Sequence, residues 1–232
     1  MILPRPAASR GRTDRGWLDA WHSFSFGDYR DPEHNGWGAL RVLNEDVIAP
    51  GRGFGMHGHT NMEILTLVLA GELEHKDGLG NASVIRAGEA QRMSAGPGIL
   101  HSEFNPSRDV PLHLLQVWIE PSLRDVEPAY ARQAFPPEER RGRLRPLASG
   151  DGRDGSLAIN QDAVLWAALL AAGQSLRHDL AAGRRAYLHV VRGVAVLNGT
   201  PLEGGDGAKI ADEAALEISA EEEAEILLFD LP

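Results

Sequence analysis

The sequence predicts an all-β protein of the sandwich or barrel type. Turn-forming glycine, proline and asparagine residues recur at intervals of roughly 8–12 residues along the chain. The segments between them are short and rich in apolar and β-branched residues, as in ILTLVLAG and LHLLQVWI. Long runs with the helical period of about 3.6 residues are scarce. Many short strands at regular spacing are typical of sandwiches and barrels.

The strands of the first half follow from the positions of these turn residues. The segment ALRVLNEDVIAPG predicts a strand closed by Pro50 and Gly51, and HTNMEILTLVLAG predicts a strand that ends at Gly71. Further short strands are predicted from the segments ELEHK, ASVIRAGE, AQRMSAGPG, ILHSEF and LHLLQVWIEP, the last of which closes at Pro121.

A change in composition divides the chain into two halves. Residues 122–150 are rich in proline, glycine and charge, which predicts a linker between an N-terminal domain, 1–121, and a C-terminal domain, 151–232. The second half resumes the β pattern, and Asn198-Gly199 between apolar runs predicts a two-residue hairpin. The segments ILTLVLAGELEHKDGLGNASVIRAGEA and YLHVVRGVAVLNGTPLEGGDGAKI share a succession of strands and glycine turns, which indicates an internal duplication.

Composition limits the classes of partner that this protein can bind. The chain has 232 residues, of which 43% are hydrophobic and 24% charged, and its formal net charge is −10. We expect no nucleic acid partner, because phosphate binding needs a basic face. The chain contains no cysteine, which excludes disulfides and thiolate metal sites. Any bound metal must therefore be held by imidazole and carboxylate groups.

No segment has the pattern of a signal peptide or of a membrane span. The N-terminal segment MILPRPAASRGRTDRGW lacks the apolar core of a signal peptide. The longest apolar run, AVLWAALLAAG, is too short to cross a bilayer as a helix. We expect a cytoplasmic protein with no membrane partner, and we expect it to be a monomer.

Two pairs of metal-binding residue types lie at alternate positions in the first half. Side chains at i and i+2 of a strand point to the same face, so His57 and His59 should converge, as should His101 and Glu103. Such nitrogen and oxygen donors suit Fe(II), and also Mn, Ni, Cu, Co or Zn. Glu63 has the same parity as the first pair and could also point inward. The alternative is that His57 and His59 are exposed polar residues on an amphipathic strand.

Other residues near these pairs are candidates for a pocket. Aromatic side chains that could form an apolar mouth, or could instead pack in the core, are Phe24, Phe26, Phe54, Phe104 and Trp118. The run HLLQVW could line the same interior, which makes Gln116 a candidate and leaves His113 open. We interpret the remaining histidines as unrelated to the site; they are His22, His34, His75, His178 and His189.

The spacing of these residues resembles a known family. G-x5-H-x-H-x3-E over residues 51–63 and G-x2-H-x3-N over residues 98–105 resemble the two cupin motifs. More specifically, the segments WHSFSFGDY, GALRVLNEDVIAPGRGFGMHGHTNMEILTLVLAGELEHKDGLGN, QRMSAGPGILHSEFN and LHLLQVWIEPS resemble the pirin family, and within it the bacterial quercetin 2,3-dioxygenases. The resemblance is dense over residues 17–121 and weaker in the second half.

This resemblance implies a bicupin, with two jelly-roll β-barrels in one chain and a metal in the N-terminal barrel only. By resemblance, the ligands are His57, His59, His101 and Glu103, with Fe(II) the expected metal. General cupins often use the glutamate at the position of Glu63 instead. The sequence departs from the general cupin pattern in having seven residues between Glu63 and Gly71, and in having Gly96 where proline is usual. Neither departure touches the four expected ligands.

The resemblance also implies an activity, the oxidative opening of a flavonol ring such as that of quercetin by O₂ with release of carbon monoxide. We expect Glu103 to be the catalytic residue, which accepts the proton of the substrate hydroxyl. Pocket or supporting roles are expected for Glu63, Phe54, Phe104, Gln116 and Trp118. The alternative is a non-enzymatic regulator that binds a protein partner according to the redox state of its metal.

Overall fold

The computed structural model describes residues 1–232 and consists almost entirely of strands and turns. The strands of the first half are β1 (Ile2–Arg5), β2 (Gly11–Asp14), β3 (Leu18–His22), β4 (Leu40–Ile48), β5 (Gly53–His59), β6 (Glu63–Ala70), β7 (Glu72–Asp77), β8 (Ala82–Arg86), β9 (Glu89–Ser94), β10 (Ile99–Phe104) and β11 (Leu112–Ile119). Short 3-10 turns lie at Ala7–Ser9, Pro32–His34 and Arg153–Gly155. The predicted all-β class is confirmed.

The second half continues the same pattern after a single α-helical turn. The helix α1 covers Pro137–Arg140. The strands are β12 (Ala129–Ala134), β13 (Arg145–Ser149), β14 (Leu157–Ala158), β15 (Val164–Leu170), β16 (Ser175–Asp179), β17 (Arg185–Arg192), β18 (Val194–Leu197), β19 (Thr200–Glu203), β20 (Gly207–Ala211), β21 (Ala215–Ala220) and β22 (Ala224–Leu231). None of the helical segments is long and apolar enough to cross a membrane.

Each half builds a jelly-roll barrel from one large and one small sheet. The large sheets have the orders β12-β9-β6-β11-β4-β3-β2 and β1-β20-β17-β22-β15-β13-β14, and the small sheets have the orders β5-β10-β7-β8 and β16-β21-β18-β19. Strands β4–β11 of the first half and β15–β22 of the second occupy the same positions in these sheets, as the repeated sequence pattern predicted. The Asn198-Gly199 hairpin is confirmed, because both residues have positive φ and they join β18 to β19. The chain is a bicupin.

Each large sheet takes its edge strand from outside its own domain. Strand β1, at the start of the chain, pairs with β20 of the second barrel. Strand β12, within the predicted linker 122–150, pairs with β9 of the first barrel, and β13 of the same segment pairs with β15 of the second. The segment is therefore not a free linker, because its backbone groups complete two sheets. The remaining domain boundaries stay a prediction.

The two large sheets pack face to face, and their contact forms the main core of the molecule. Side chains from both sheets are fully buried in this one apolar cluster, including Leu115 of β11 and Phe229 of β22. Burial of apolar surface contributes about 25 cal/mol per Å², so this contact holds the barrels together as one unit. A further cavity of about 240 Å³ lies between the barrels and is lined mainly by apolar residues such as Phe135 and Leu147.

The interiors of the two barrels differ in polarity. The second barrel is filled by one cluster of buried apolar side chains. In the first barrel, alternate residues of β6 run from Ile64 at one end, through Thr66, to Val68 at the other. Gln116 of β11 lies opposite Thr66, so a polar belt separates two apolar ends. Only the first barrel therefore has an interior that suits polar chemistry.

We predict that Leu115→Ala lowers the free energy of unfolding by about 2–5 kcal/mol, because it leaves a cavity in the contact between the barrels. Leu115 is fully buried, whereas Leu123 is 63% exposed. Leu123→Ala removes the same atoms and should have little effect. Urea denaturation, followed by tryptophan fluorescence, measures the free energy of unfolding of both variants. Equal effects of the two substitutions would show that the contact between the barrels does not carry this stability.

Candidate metal centre

The site begins with the pairing of β5 and β10 in the small sheet of the first barrel. The strands are antiparallel, with His57 opposite His101 and His59 opposite Ile99. The backbones approach so closely at Gly53 that a Cβ there would clash with the carbonyl oxygen of Glu103. Glycine is therefore required at this end of β5. Its small size allows β5 to pair closely with β10 at this end, and one extra residue of β5 between Phe54 and His57 forms a β-bulge before the His57–His101 pair.

The three imidazoles of these strands converge as the alternation predicted. The ring centroids of His57, His59 and His101 lie 4.4–4.9 Å apart. One nitrogen from each ring lies within 4.8 Å of the other two. His59 Nε2 and His101 Nε2 are 2.9 Å apart. Metal–imidazole bonds are about 2.0–2.1 Å long, so ring nitrogens this close together can share one ion.

Hydrogen bonding and burial both keep metal-binding lone pairs available. His57 Nδ1 lies 2.8 Å from the carbonyl oxygen of Gly55. That acceptor favours a proton on Nδ1 and leaves the lone pair on Nε2. Burial, and then the neighbouring His57 and His75, lower the pKa of His101 to about 3. Burial, and then His101 and His57, lower the pKa of His59 to about 4. Both rings are therefore neutral at pH 7.

Glu103 lies in the polar belt beneath the imidazoles and is almost fully buried. Its Oε1 accepts hydrogen bonds from Gln91 Nε2 at 2.7 Å and from Thr66 Oγ1 at 3.2 Å. Its Oε2 accepts a hydrogen bond from Gln116 Nε2 at 2.8 Å. The expected supporting role of Gln116 thus corresponds to a direct contact. Three neutral donors hold the carboxylate in a fixed orientation, which suits a group that accepts a proton.

A second group of potential ligand atoms lies on the inner side of His101. One ring nitrogen of His75, one of His101 and one carboxylate oxygen of Glu103 lie within 4.8 Å of each other. His75 is completely buried on β7, and its Nε2 lies 3.3 Å from Asp77 Oδ2. The interpretation of His75 as unrelated to the site was wrong. The sequence signal was the H-x-D spacing in EHKD, which parallels the H-x-E of His101 and Glu103.

Tyr130 closes the barrel over this inner group, and sequence reasoning did not identify it. Its ring stacks on the His75 ring at a centroid distance of 4.6 Å. Its hydroxyl donates a hydrogen bond to Gln91 Oε1 at 3.1 Å and also contacts Ser83 Oγ. Tyr130 thereby contacts the residue that holds Glu103. It lies on β12, in the segment predicted to be a linker, so its approach depends on long-range pairing.

Glu63 lies away from the imidazoles, and its expected place in the pocket is wrong. Its Oε2 accepts a hydrogen bond from Ser94 Oγ, and its Oε1 accepts one from Asn160 Nδ2 of the second half, both at 2.8 Å. The parity rule failed because the predicted strand is interrupted. Asn61 has φ of 48° and separates β5 from β6, so the alternation restarts at Glu63. Glu63 faces the second barrel.

Trp118 and Phe26 form an aromatic wall beside the imidazoles. The Trp118 ring meets His59 edge-on at 4.9 Å and Phe26 at 5.3 Å. Both aromatic residues line a cleft of about 540 Å³, together with Met62 and Arg41. A cleft of this size falls within the usual range of small-molecule sites. The expected pocket position of Trp118 thus corresponds to its place between the imidazoles and the cleft.

The other aromatic residues of the same strands divide between the two faces of the sheet. Phe54 packs edge-on against Trp17 at 5.4 Å and lies 6.4 Å from the His57 ring. It therefore supports the first imidazole. Phe104 follows Glu103 directly in β10, so its side chain points to the opposite face. Its expected pocket position is wrong, because the alternation that turns Glu103 inward turns Phe104 outward.

Two further candidates face the second barrel. The Phe24 ring is fully buried 5.2 Å from the ring of Tyr187, in the contact between the barrels. His113 Nε2 lies 3.0 Å from Glu45 Oε1. His113 is three residues from Gln116 in β11 and so lies on the other face of the strand. Neither residue belongs to the metal centre.

Both halves of this chain match family profiles, and the whole chain is similar to known bacterial proteins. The profile described as Pirin matches residues 5–119, and the profile described as Quercetinase C-terminal cupin domain matches residues 146–231. A quercetin 2,3-dioxygenase of Escherichia coli strain K12 is 47% identical over 232 residues, which cover 100% of this chain and 99% of that protein. A pirin-like protein of Caulobacter vibrioides is 43% identical over 99% of each chain.

Solved structures agree with the sequence matches. The crystal structure of YhhW from Escherichia coli has a TM-score of 0.97 and 46% identity, over 100% of this chain and 98% of that one. The crystal structure of the bacterial pirin YhhW in complex with nickel(II) has a TM-score of 0.96 and 46% identity, over 100% and 99% of the two chains. With both halves matched at this level of identity, the chain belongs to the pirin family.

Proposed function

We propose that this protein is a metal-dependent dioxygenase that opens the ring of a flavonol such as quercetin with O₂ and releases carbon monoxide. The observation that carries the proposal is the convergence of three imidazoles between a buried carboxylate and an aromatic cleft. The names of the relatives support the substrate class, since an Escherichia coli relative 47% identical to this chain is a quercetin 2,3-dioxygenase.

We propose His57, His59, His101 and Glu103 as the ligands of one divalent metal, with Fe(II) as the native ion. The fit rests on the donor set, which contains imidazole nitrogens with available lone pairs and a carboxylate in the adjoining belt. When bound, such an ion acts as a Lewis acid and lowers the pKa of a coordinated hydroxyl. One related pirin structure contains nickel(II), and the donor set also suits that ion.

The residues around the imidazoles supply orientation and proton transfer. The cleft beside Trp118 and Phe26 receives the flat rings of the flavonol, since aromatic edges and faces pack well against planar ligands. Glu103 accepts the proton of the 3-hydroxyl. Gln91 and Gln116 keep its carboxylate in place and exclude other orientations. The second barrel supports this arrangement by packing against the large sheet of the first.

We predict that His59→Ala abolishes stoichiometric metal binding, because only two imidazoles and one carboxylate would remain to hold the ion. Metal analysis of anaerobically purified protein measures the content per chain. His34→Ala is the matched control, since His34 lies in a 3-10 turn and pairs with Asp31. Full occupancy in the His59 variant, with the far-UV circular dichroism spectrum unchanged in both, would contradict the ligand set.

We predict that Glu103→Gln keeps much of the metal but lowers kcat for quercetin by about 10²-fold or more, because the amide cannot accept the proton. The fold should survive, since Gln116 can rotate its amide to present an oxygen to the new donor. Oxygen consumption with quercetin measures kcat.

Glu63→Gln makes the same chemical change between the barrels and should leave turnover near the wild-type value. If the Glu63 variant lost metal and turnover while the Glu103 variant kept both, Glu63 would replace Glu103 in the proposed site. If wild-type protein with metal showed no turnover above that of the free ion, the regulatory role would replace the enzymatic one.

A further inference from the structure

Two buried ring nitrogens beside the proposed ligands have no hydrogen-bond partner in the protein. They are His75 Nδ1 and His101 Nδ1. His75 is 0% exposed and His101 is 1% exposed. Leaving a buried donor or acceptor without a partner is unfavourable. The two rings are neighbours, with centroids 5.4 Å apart, so the two atoms call for a shared explanation. Neither nitrogen is used by the proposed ligand set.

We propose that His75 is a positioning residue, which fixes the tautomer and the ring orientation of His101 from the inner side of the barrel. The proposal rests on the metal centre proposed above. It adds a residue that acts on the metal through His101. One ring nitrogen of His75, one of His101 and one carboxylate oxygen of Glu103 lie within 4.8 Å of one another.

A carboxylate, that of Asp77, determines the tautomer of His75. Asp77 Oδ2 lies 3.3 Å from His75 Nε2, and Asp77 also accepts hydrogen bonds from the backbone of Leu79 and Asn81. These bonds fix the carboxylate in the turn after β7. A carboxylate beside Nε2 favours a proton on that nitrogen, which leaves the lone pair of His75 on Nδ1. His75 therefore presents an acceptor to the interior of the barrel.

The tautomer of His101 follows from its position between the proposed metal and His75. A neutral imidazole has one N–H and one lone pair, so it cannot offer a lone pair on both sides. If Nε2 faces His59 and the metal, Nδ1 carries the hydrogen and needs an acceptor. The neighbouring acceptors are the unpartnered His75 Nδ1 and the Glu103 carboxylate. One ring nitrogen of each histidine and one Glu103 oxygen lie within 4.8 Å of one another, a spacing that one ordered water can bridge. For the same reason the inner group does not form a second metal site.

Packing holds His75 in the orientation that this role requires. In the pairing of β7 with β10, His75 lies opposite Glu103 and Asp77 lies opposite His101. The His75 ring is stacked nearly parallel to Tyr130, with 16° between the ring planes. The ring therefore cannot turn without displacing Tyr130, whose hydroxyl is bonded to Gln91. Partners that orient a ligating histidine typically change metal affinity by 10–100-fold when they are mutated.

Two amide substitutions test this role, because asparagine and glutamine place their oxygen at different points. In His75→Asn the amide reproduces the position of Nδ1, whereas in His75→Gln it reproduces that of Nε2. Titration of metal-free protein with Co(II) under anaerobic conditions gives the affinity and the d–d absorption spectrum. We expect His75→Asn to retain the wild-type spectrum and an affinity near that of the wild type. We expect His75→Gln to bind Co(II) about 10–100-fold more weakly, with an altered spectrum.

The outcomes distinguish a failure of the proposed role of His75 from a failure of the proposed metal centre. Wild-type affinity and spectrum in both variants, or equal losses in both, would overturn the role of His75 and leave the metal centre intact. Failure of the wild type to bind one Co(II) per chain would overturn both. Thermal melting of the metal-free proteins reports folding. If His75→Gln does not fold, His75→Phe takes its place, since it keeps the stack on Tyr130 and removes the acceptor; unchanged Co(II) binding in it would refute the proposal.

Discussion

The antiparallel register of β5 and β10 determines the metal centre. It places His57 directly opposite His101, and alternation then brings His59 to the same face. A shift of one residue in the pairing would turn one strand over relative to the other, and its imidazoles would leave the shared face. At the other end of the pairing Gly53 packs against the backbone of Glu103, where no larger residue fits, and a β-bulge separates this end from the His57–His101 pair. The distances between the imidazoles, and the position of Glu103 beneath them, follow from this pairing.

Burial of polar groups is the second constraint on the site. The belt across the first barrel contains carboxylates that are costly to bury unless they are neutral or hydrogen-bonded. Glu103 is satisfied by Thr66, Gln91 and Gln116. Asp46 behaves differently, because burial, and then the neighbouring Glu103 and Glu45, raise its pKa to about 7. The second barrel avoids this cost with an apolar interior.

The sequence predicted those features that depend on local alternation. The fold class, the Asn198-Gly199 hairpin and the convergence of His57 with His101 follow from strand periodicity and turn chemistry. Alternation failed at Glu63, because a single residue of positive φ, Asn61, restarts it. It could not find Tyr130, which reaches the site through a pairing between distant segments. Residues that support the site from another strand thus need the three-dimensional structure.

The exchange of edge strands has a consequence for biosynthesis. Strand β1 lies at residues 2–5, whereas its partner β20 lies at residues 207–211. A ribosome makes β1 first and β20 near the end, so β1 has no partner while most of the chain emerges. Strand β12, in contrast, follows soon after β9 and can complete the first large sheet early. The barrel with the proposed metal centre can therefore close during synthesis, while the N-terminal segment must stay unpaired until the second barrel is almost complete.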